Sequence, residues 1–296
     1  MRFRLSLMLM VAVGSPMGGS AAAARPVIVD SIRAANTFLS TLSTAQRAAV
    51  LYPFDDEAQR RRWTMLPVPV APRGGLSLRD LSLPQQQAAM GVLAAVLSPQ
   101  GFAKVQQIML GDEIVRTDPT IHPRPPPPGA LDPESAFGQD LYYIAILGVP
   151  SAVDPWMLQF TGHHLALNIT VVAERGILTP SITGAQPASY ESAGQRVRPL
   201  GAESDKALQL LHSFDAAQLA QAVLGSRVAD LVLGPGQDGV VIAPEGLKAA
   251  QMSATQRAML LGLMDEWASI IHEDAAAVRR AQLEADIEET WFLWSG

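Results

Sequence analysis

Four stretches of the chain share one pattern: a small polar residue, a glutamine three positions on, and then apolar residues returning about every 3.6 positions. They open at Ser43-Thr44-Ala45-Gln46, Ser82-Leu83-Pro84-Gln85, Asp215-Ala216-Ala217-Gln218 and Ser253-Ala254-Thr255-Gln256. Each fits a capping box, in which the first side chain accepts from a backbone N–H while Gln reaches back to the cap. Each therefore predicts a helix start. Pro84 sits in a first turn, where its missing N–H would be unpaired in any case. Met90, Leu93 and Leu97 make the stripe of the second helix, and Met259, Leu260, Leu263 and Trp267 that of the fourth. A helical repeat would give the same openings, but the irregular spacing of the four reads as independent helix starts. A further helix is predicted near 100–115, and helices resume from Glu203 to Gly225.

Between these helices the period shortens. Leu141 to Leu147 is rich in β formers, Trp156 to Phe160 follows a Pro/Asp turn, and His163 to Val172 reads as a long strand. Glu174-Arg175-Gly176 makes a turn, and Ile177 to Thr183 returns. Helix, sheet, then helix predicts the α+β class, with an antiparallel β-meander packed against N- and C-terminal helices in a single domain over 25–296. The five prolines from Pro123 to Pro128 predict an extended connector. Gly234-Pro235-Gly236-Gln237-Asp238-Gly239 is turn chemistry without the Lys-Ser/Thr of a phosphate loop. Thr290 to Trp294 reads as a strand at the edge of the meander, followed at once by the turn pair Ser295-Gly296. A strand that stops where its hairpin would begin is expected to lack a C-terminal partner segment.

The first residues follow neither period. Arg2 and Arg4 precede the apolar run Leu5 to Val13, and Ala22-Ala23-Ala24 supplies small residues for cleavage, the pattern of a signal peptide over 1–24. The run is about half of the twenty residues that span a bilayer. An exported protein, periplasmic or extracellular and without a membrane span, is the expectation. With 48% apolar and 17% charged residues, the 296-residue chain can bury a large core and is not a disordered one. It has no Cys, which removes disulfides, Cys-zinc sites and a lipoprotein anchor. Its net charge of −6 argues against nucleic acid as a partner.

The densest candidate chemistry runs from Asp154 to Asn168 and holds Trp156, Gly162, His163 and His164. In a regular strand His163 shares a face with Leu165 and Leu167, and His164 shares the other with Ala166 and Asn168. His163 is then expected as a core imidazole with one hydrogen bond. His164 with Asn168 is the candidate for ligand contact or acid–base work, within reach of an acid such as Glu113. Asp112 and Glu113 are expected near the end of their helix, where an acid opposes the macrodipole. Arg73, before Gly74-Gly75, is a candidate anion contact, and Trp156 and His163 complete the candidate binding set. His272-Glu273-Asp274 is not a zincin motif, because Ala occupies position 276, and no Gly-x-Ser-x-Gly elbow occurs.

Arg73-Gly74-Gly75-Leu76 to Leu81, Leu97-Ser98-Pro99-Gln100-Gly101, Trp156 with Gly162-His163-His164-Leu165 and Asn168, and Thr179-Pro180 with Gly184 and Pro187 resemble the domain-of-unknown-function family 3500. The resemblance covers most of residues 35–296. It implies no particular activity, an often exported location, and a further C-terminal segment with more strands and more His. Two functions are open on the sequence. One is an exported enzyme, a hydrolase assisted by a divalent metal, acting through His164, Asn168 and Glu113. The other is a non-catalytic extracytoplasmic protein that binds a small-molecule ligand. The leader gives the first test: mass spectrometry of the exported protein should find an N-terminus close to Arg25, and an intact Met1 on a cytoplasmic protein would contradict it.

Overall fold

The computed structural model describes residues 27–121, 126, 128–173, 175–226 and 231–295. The leader expected over 1–24 lies outside them, as does most of the Pro123–Pro128 connector. The fold is α+β. The chain begins with α1 (Val27–Ser40), α2 (Thr44–Val50), the short β1 (Leu51–Tyr52) and the one-turn α3 (Glu57–Arg60). β2 (Leu76–Ser77) leads through a 3-10 turn into α4 (Leu83–Val96) and α5 (Pro99–Thr117). After the one-turn α6 (Pro133–Ala136) come β3 (Tyr143–Leu147), β4 (Trp156–Gly162), β5 (Leu165–Val172) and β6 (Arg175–Thr183). A small hairpin, β7 (Tyr190–Ser192) and β8 (Gln195–Val197), precedes α7 (Gly201–His212) and α8 (Ala216–Ala222). β9 (Leu247–Lys248), α9 (Ala254–Ala268), α10 (Glu273–Ala285) and β10 (Trp291–Phe292) complete the order.

β3 to β6 form the antiparallel meander, and β1 and β2 extend it on the far side of β3. Alternation sorts its residues. Ile144, Ile146, Trp156, Leu158, Phe160, Leu165, Leu167 and Ile169 turn to one face, where Phe38 of α1, Val92 and Leu93 of α4 and Val105 and Ile108 of α5 cover them. The other face of β4 and β5 is buried too, under the segment joining β1 to β2. There Gln59 of α3 donates to Gln159 of β4 at 2.9 Å, and Gln159 donates to Asn168 of β5 at 3.0 Å. A sheet buried on both faces explains why β4 and β5 read as continuous apolar runs rather than clean alternation.

The four capping boxes form as predicted at α2 and α8, and as paired Ser/Gln boxes at α4 and α9. They are not independent starts, which corrects the reading from their spacing. The Gln46 and Gln85 amides bond each other at 3.0 Å, and Gln218 and Gln256 do the same at 2.9 Å. Gln85 donates to the Thr41 carbonyl and Gln256 to the Ser213 carbonyl, each at 2.8 Å. Leu51 of β1 pairs in parallel with Ile146, as Val223 after α8 pairs with Trp294. Leu76 of β2 lies opposite Ile144, as Leu247 of β9 lies opposite Phe292. Leu78 N–H donates to Tyr142 O and Ala249 N–H to Thr290 O, both at 2.8 Å. The two halves meet at an antiparallel bridge between Leu97 and Ile271, where Ser98 N–H donates to Ile270 O and His272 N–H to Val96 O. That exchange is a pseudo-two-fold axis. The boxes stand 39 residues apart in the first half and 38 in the second, and it is the 133 residues between the second and third boxes that make the series look irregular.

Three further expectations change. The helix near 100–115 runs on to Thr117, so Asp112 and Glu113 stand inside it. The strand expected from His163 begins at Leu165, because Gly162 pairs with Leu165 and the two histidines form the turn between them. The C-terminal strand forms, but its partner is β9 in a separate two-stranded sheet and not the meander.

Gly75 and Gly246 adopt φ 91° and 98°, and a Cβ on either would collide with a carbonyl oxygen of the facing strand, Ile144 or Phe292. Only glycine lets these backbones approach so closely. Gly75→Ala and Gly246→Ala are each expected to destabilise by about 2 kcal/mol or more in urea titrations. Exposed Gly91 in α4 has open space at its Cβ, and Gly91→Ala is expected to stabilise by about 0.5–1 kcal/mol.

Candidate functional site

The β4–β5 turn brings the site together. Gly162 precedes it because the Tyr142 ring occupies the space where a Cβ would lie. Two residues then close the hairpin, and His164, the second of them, takes φ 61°, the left-handed conformation found at that position of a type II turn. Tyr142 ties the turn down by donating its hydroxyl to the His163 carbonyl at 2.8 Å.

His163 turns toward α5, where its Nδ1 meets Asp112 Oδ1 at 2.6 Å, both side chains being almost wholly buried. The other Asp112 oxygen accepts from Gly138 N–H at 3.0 Å. A buried carboxylate is costly unless its lone pairs are used, and both oxygens of this one are used. As an acceptor, Asp112 sets the neutral ring as the Nδ1–H tautomer with its lone pair on Nε2. Phe137 packs against the imidazole, with ring centroids 4.9 Å apart.

His164 packs edge-on against His163 at 4.0 Å between centroids. Its backbone is fixed on both sides: its N–H donates to Met65 O at 2.8 Å, and its carbonyl accepts from Gly184 N–H at 2.7 Å. Gly184 is glycine at a crowded point, because a Cβ there would stand 2.9 Å from His164 Nδ1. That nitrogen is buried without a hydrogen-bond partner. Burial, with the neighbouring His163 adding to it, lowers the His164 pKa to about 4.

Arg73 closes the same region. It follows the proline-rich strap from Leu66 to Pro72, and its guanidinium turns inward to the carbonyls of Leu66 and Thr64. It lies over the Tyr143 ring at 5.9 Å from the centroid. Burial lowers its pKa, and Tyr143, Tyr142 and Asp112 work against that shift. Arg73 Nε is buried with no partner, as is Thr183 Oγ1 next to Gly184. Unpaired buried polar atoms are rare in native proteins, and here three gather around one turn.

The sequence-predicted residues divide. His163, His164 and Arg73 come together. Asn168 does not join them: it is fully buried, accepting from Gln159 and donating to the Pro180 carbonyl at 2.8 Å. Glu113 pairs with Arg116 and accepts from Gln139 N–H at 3.2 Å. Trp156 is fully buried in the core at the other end of β4. The acid that reaches the histidines is Asp112, one residue before the candidate Glu113, and it meets His163 rather than His164. The spacing signal existed: Gly101, Val105, Ile108, Met109 and Asp112 share one buried helix face, from which Glu113 is turned away. Among the described residues no group of three or more His, Asp or Glu side chains converges as cation ligands. With Asp112 committed to His163 and Gly138, this donor set does not fit a divalent metal.

The protein is thus an α+β chain of duplicated helical frames, one of which carries a buried Asp–His pair on a β-hairpin turn. The chain belongs to the family described as Protein of unknown function (DUF3500), whose model matches residues 25–296. No curated protein and no solved structure matches it. Among the described residues no helix is long and apolar enough to cross a membrane.

Because the folded His164 pKa of about 4 lies below its ordinary 6.5, the unfolded chain takes up a proton first as pH falls. This group's contribution is constant above about pH 6.5, weakens from there to about pH 4, and levels off below. Urea midpoints measured across that window should fall with acidification, and His164→Asn, which keeps a residue tolerant of left-handed φ, should reduce the slope.

Proposed function

We propose that this is an exported hydrolase whose general base is His163, oriented by Asp112. The observation that carries the reading is the buried Asp112 Oδ1–His163 Nδ1 pair at 2.6 Å, with the unpartnered Nε of Arg73 in the same region. In this reading a water gives its proton to His163 Nε2 as its oxygen adds to a carbonyl-type centre of a small substrate. Asp112 stabilises the imidazolium through Nδ1–H, and the ring then returns the proton to the leaving group. Arg73 Nε offers the substrate oxygen a donor that has no competing partner. His164 stays neutral at physiological pH beside a ring that must become cationic, which avoids like-charge repulsion. Asn168, Glu113 and Trp156 have no part in these steps. Met65 accepts from His164 N–H and Arg73 bonds the Thr64 and Leu66 carbonyls, so in this reading substrate reaches the pair by displacing that segment.

Turnover should be sought on a panel of chromogenic esters and amides, with diethyl pyrocarbonate labelling of the histidines in parallel. His163→Gln is expected to reduce turnover by about 10²–10⁴-fold, and Asp112→Asn to reduce it with the fold retained. Labelling should find His163 Nε2 reactive in the native protein. Unchanged turnover in His163→Gln, or no turnover together with an unreactive His163, would contradict the assignment.

A further inference from the structure

We infer that the substrate of the His163 site carries a carboxylate, taken by the side of the Arg73 guanidinium that bears Nε and Nη2. This rests on the reading of the β4–β5 turn as a substrate site and names the chemistry of what binds there. Along that side a guanidinium presents two parallel N–H groups, a fork that matches the two oxygens of a carboxylate. In Arg73 one tine is empty, because Nε is buried without a partner. The other is held only by backbone: Nη2 donates to the Leu66 and Thr64 carbonyls, while Nη1 donates to Ala71 O at 3.4 Å. Carbonyls satisfy N–H groups but leave the charge uncompensated.

The exposed Arg79 and Arg198 each hold a carboxylate at 2.8 Å, where solvent makes a counter-charge least necessary. Arg73 is half-buried, yet among the described residues it has no carboxylate at ion-pair distance. The chain carries 28 acids against 22 Lys and Arg, so acids are not scarce. Asp112 acts on Arg73 from a distance, but its oxygens are given to His163 and Gly138. Burial lowers the Arg73 pKa by more than Tyr143, Tyr142 and Asp112 together raise it. A cation drawn partly out of water without a counter-charge is costly, and a bound anion offsets that cost. The same Asp112 charge disfavours a dianion, which selects a carboxylate over a phosphate. Of the three unpartnered atoms at the turn, His164 Nδ1 and Thr183 Oγ1 can each donate or accept, whereas Arg73 Nε only donates. Arg73 is therefore the residue that specifies charge. Its fork also links binding to access, because Met65, between Thr64 and Leu66, accepts from His164 N–H at 2.8 Å. A carboxylate that fills the fork takes Nη2 from the two carbonyls, so residues 64–66 loosen from the turn as substrate arrives. A neutral group makes weaker bonds to Arg73 and leaves that segment seated.

The full chain is titrated with butyrate, its neutral counterpart butyramide, or inorganic phosphate, at equal ionic strength, and hydrogen exchange is followed. Butyrate is expected to speed exchange of the His164 amide and of the Leu66 amide, which donates to Thr64 Oγ1, and to do so saturably. Butyramide and phosphate are expected to leave both amides unchanged. Arg73→Lys keeps the charge without the fork and should raise the butyrate concentration needed by about 10–100-fold; Arg73→Gln should abolish the response. Turnover is then compared for the p-nitrophenyl monoester of glutaric acid and p-nitrophenyl valerate, which differ in the terminal carboxylate. The glutaric monoester should be favoured about 10–100-fold in kcat/KM, a preference that Arg73→Gln removes. A response to butyrate no greater than to butyramide, a phosphate response as strong, a response that survives Arg73→Gln, or equal turnover of the two esters would each overturn the inference. Equal turnover of both esters would leave the hydrolase reading standing. A butyrate response lost in Arg73→Gln, with neither ester turned over, would support the carboxylate site and count against the hydrolase alone.

Discussion

The Asp112 carboxylate is the point on which the site depends. A carboxylate withdrawn from water is tolerated only where its oxygens are satisfied, and each of these accepts from a different element: His163 of the β4–β5 turn and Gly138 before β3. One side chain on α5 thereby fixes the height of the turn against the helix layer and the path of the chain entering the sheet. Neighbouring bonds reinforce it. Glu113 holds Gln139 from the next position of the same helix, and Tyr142 holds the turn carbonyl. Removing the acid would leave a ring N–H and a backbone N–H buried without partners, each at about 1–3 kcal/mol.

Around that point the two halves of the chain diverge. Both build the same frame of a capped short helix, a glycine pressed against a strand and a capped long helix. In each, two glutamines serve as capping residues and as the bond between the caps. Only the first half, among the described residues, carries the meander, and the histidine turn belongs to the meander. The acid belongs to the frame, since α5 follows α4 as α10 follows α9, yet nothing on α10 meets a comparable turn. The buried Asp–His pair is therefore confined, among the described residues, to one copy. Lys104 of α5, ion-paired with Glu203 of α7 at 2.5 Å and with Glu266 of α9 at 3.4 Å, helps lock the copies together.

Much of this was legible from residue patterns. Capping boxes mark helix starts through local bonds between residues three apart, so all four were readable, as were the strands of the meander. The exchange between boxes was not, because Gln46 meets Gln85 and Gln218 meets Gln256 only after folding. The histidine pair was legible as a place but not in its geometry. Strict alternation put His163 and His164 on opposite strand faces, whereas Gly162, forced to be glycine by the Tyr142 ring, ends the strand and lets both enter a turn. Asn168 looked available because polar residues in apolar strands suggest function. Its partners Gln159 and the Pro180 carbonyl show the other use, a hydrogen bond inside a sheet buried on both faces. Asp112 and Glu113 are indistinguishable where the helix is read as ending near residue 115, because an acid at a helix end looks solvated, whereas the helix runs on to Thr117 and buries Asp112.

The central claim, that the Asp112–His163 pair organises this turn, is tested most directly by a double-mutant cycle on folding stability with Asp112→Asn, His163→Gln and the double variant. A buried pair of this kind should give a coupling energy of about 1.5–3 kcal/mol, so the double variant loses much less than the two singles together. Additivity within about 0.5 kcal/mol would contradict it, and would make the two residues independent occupants of the same core.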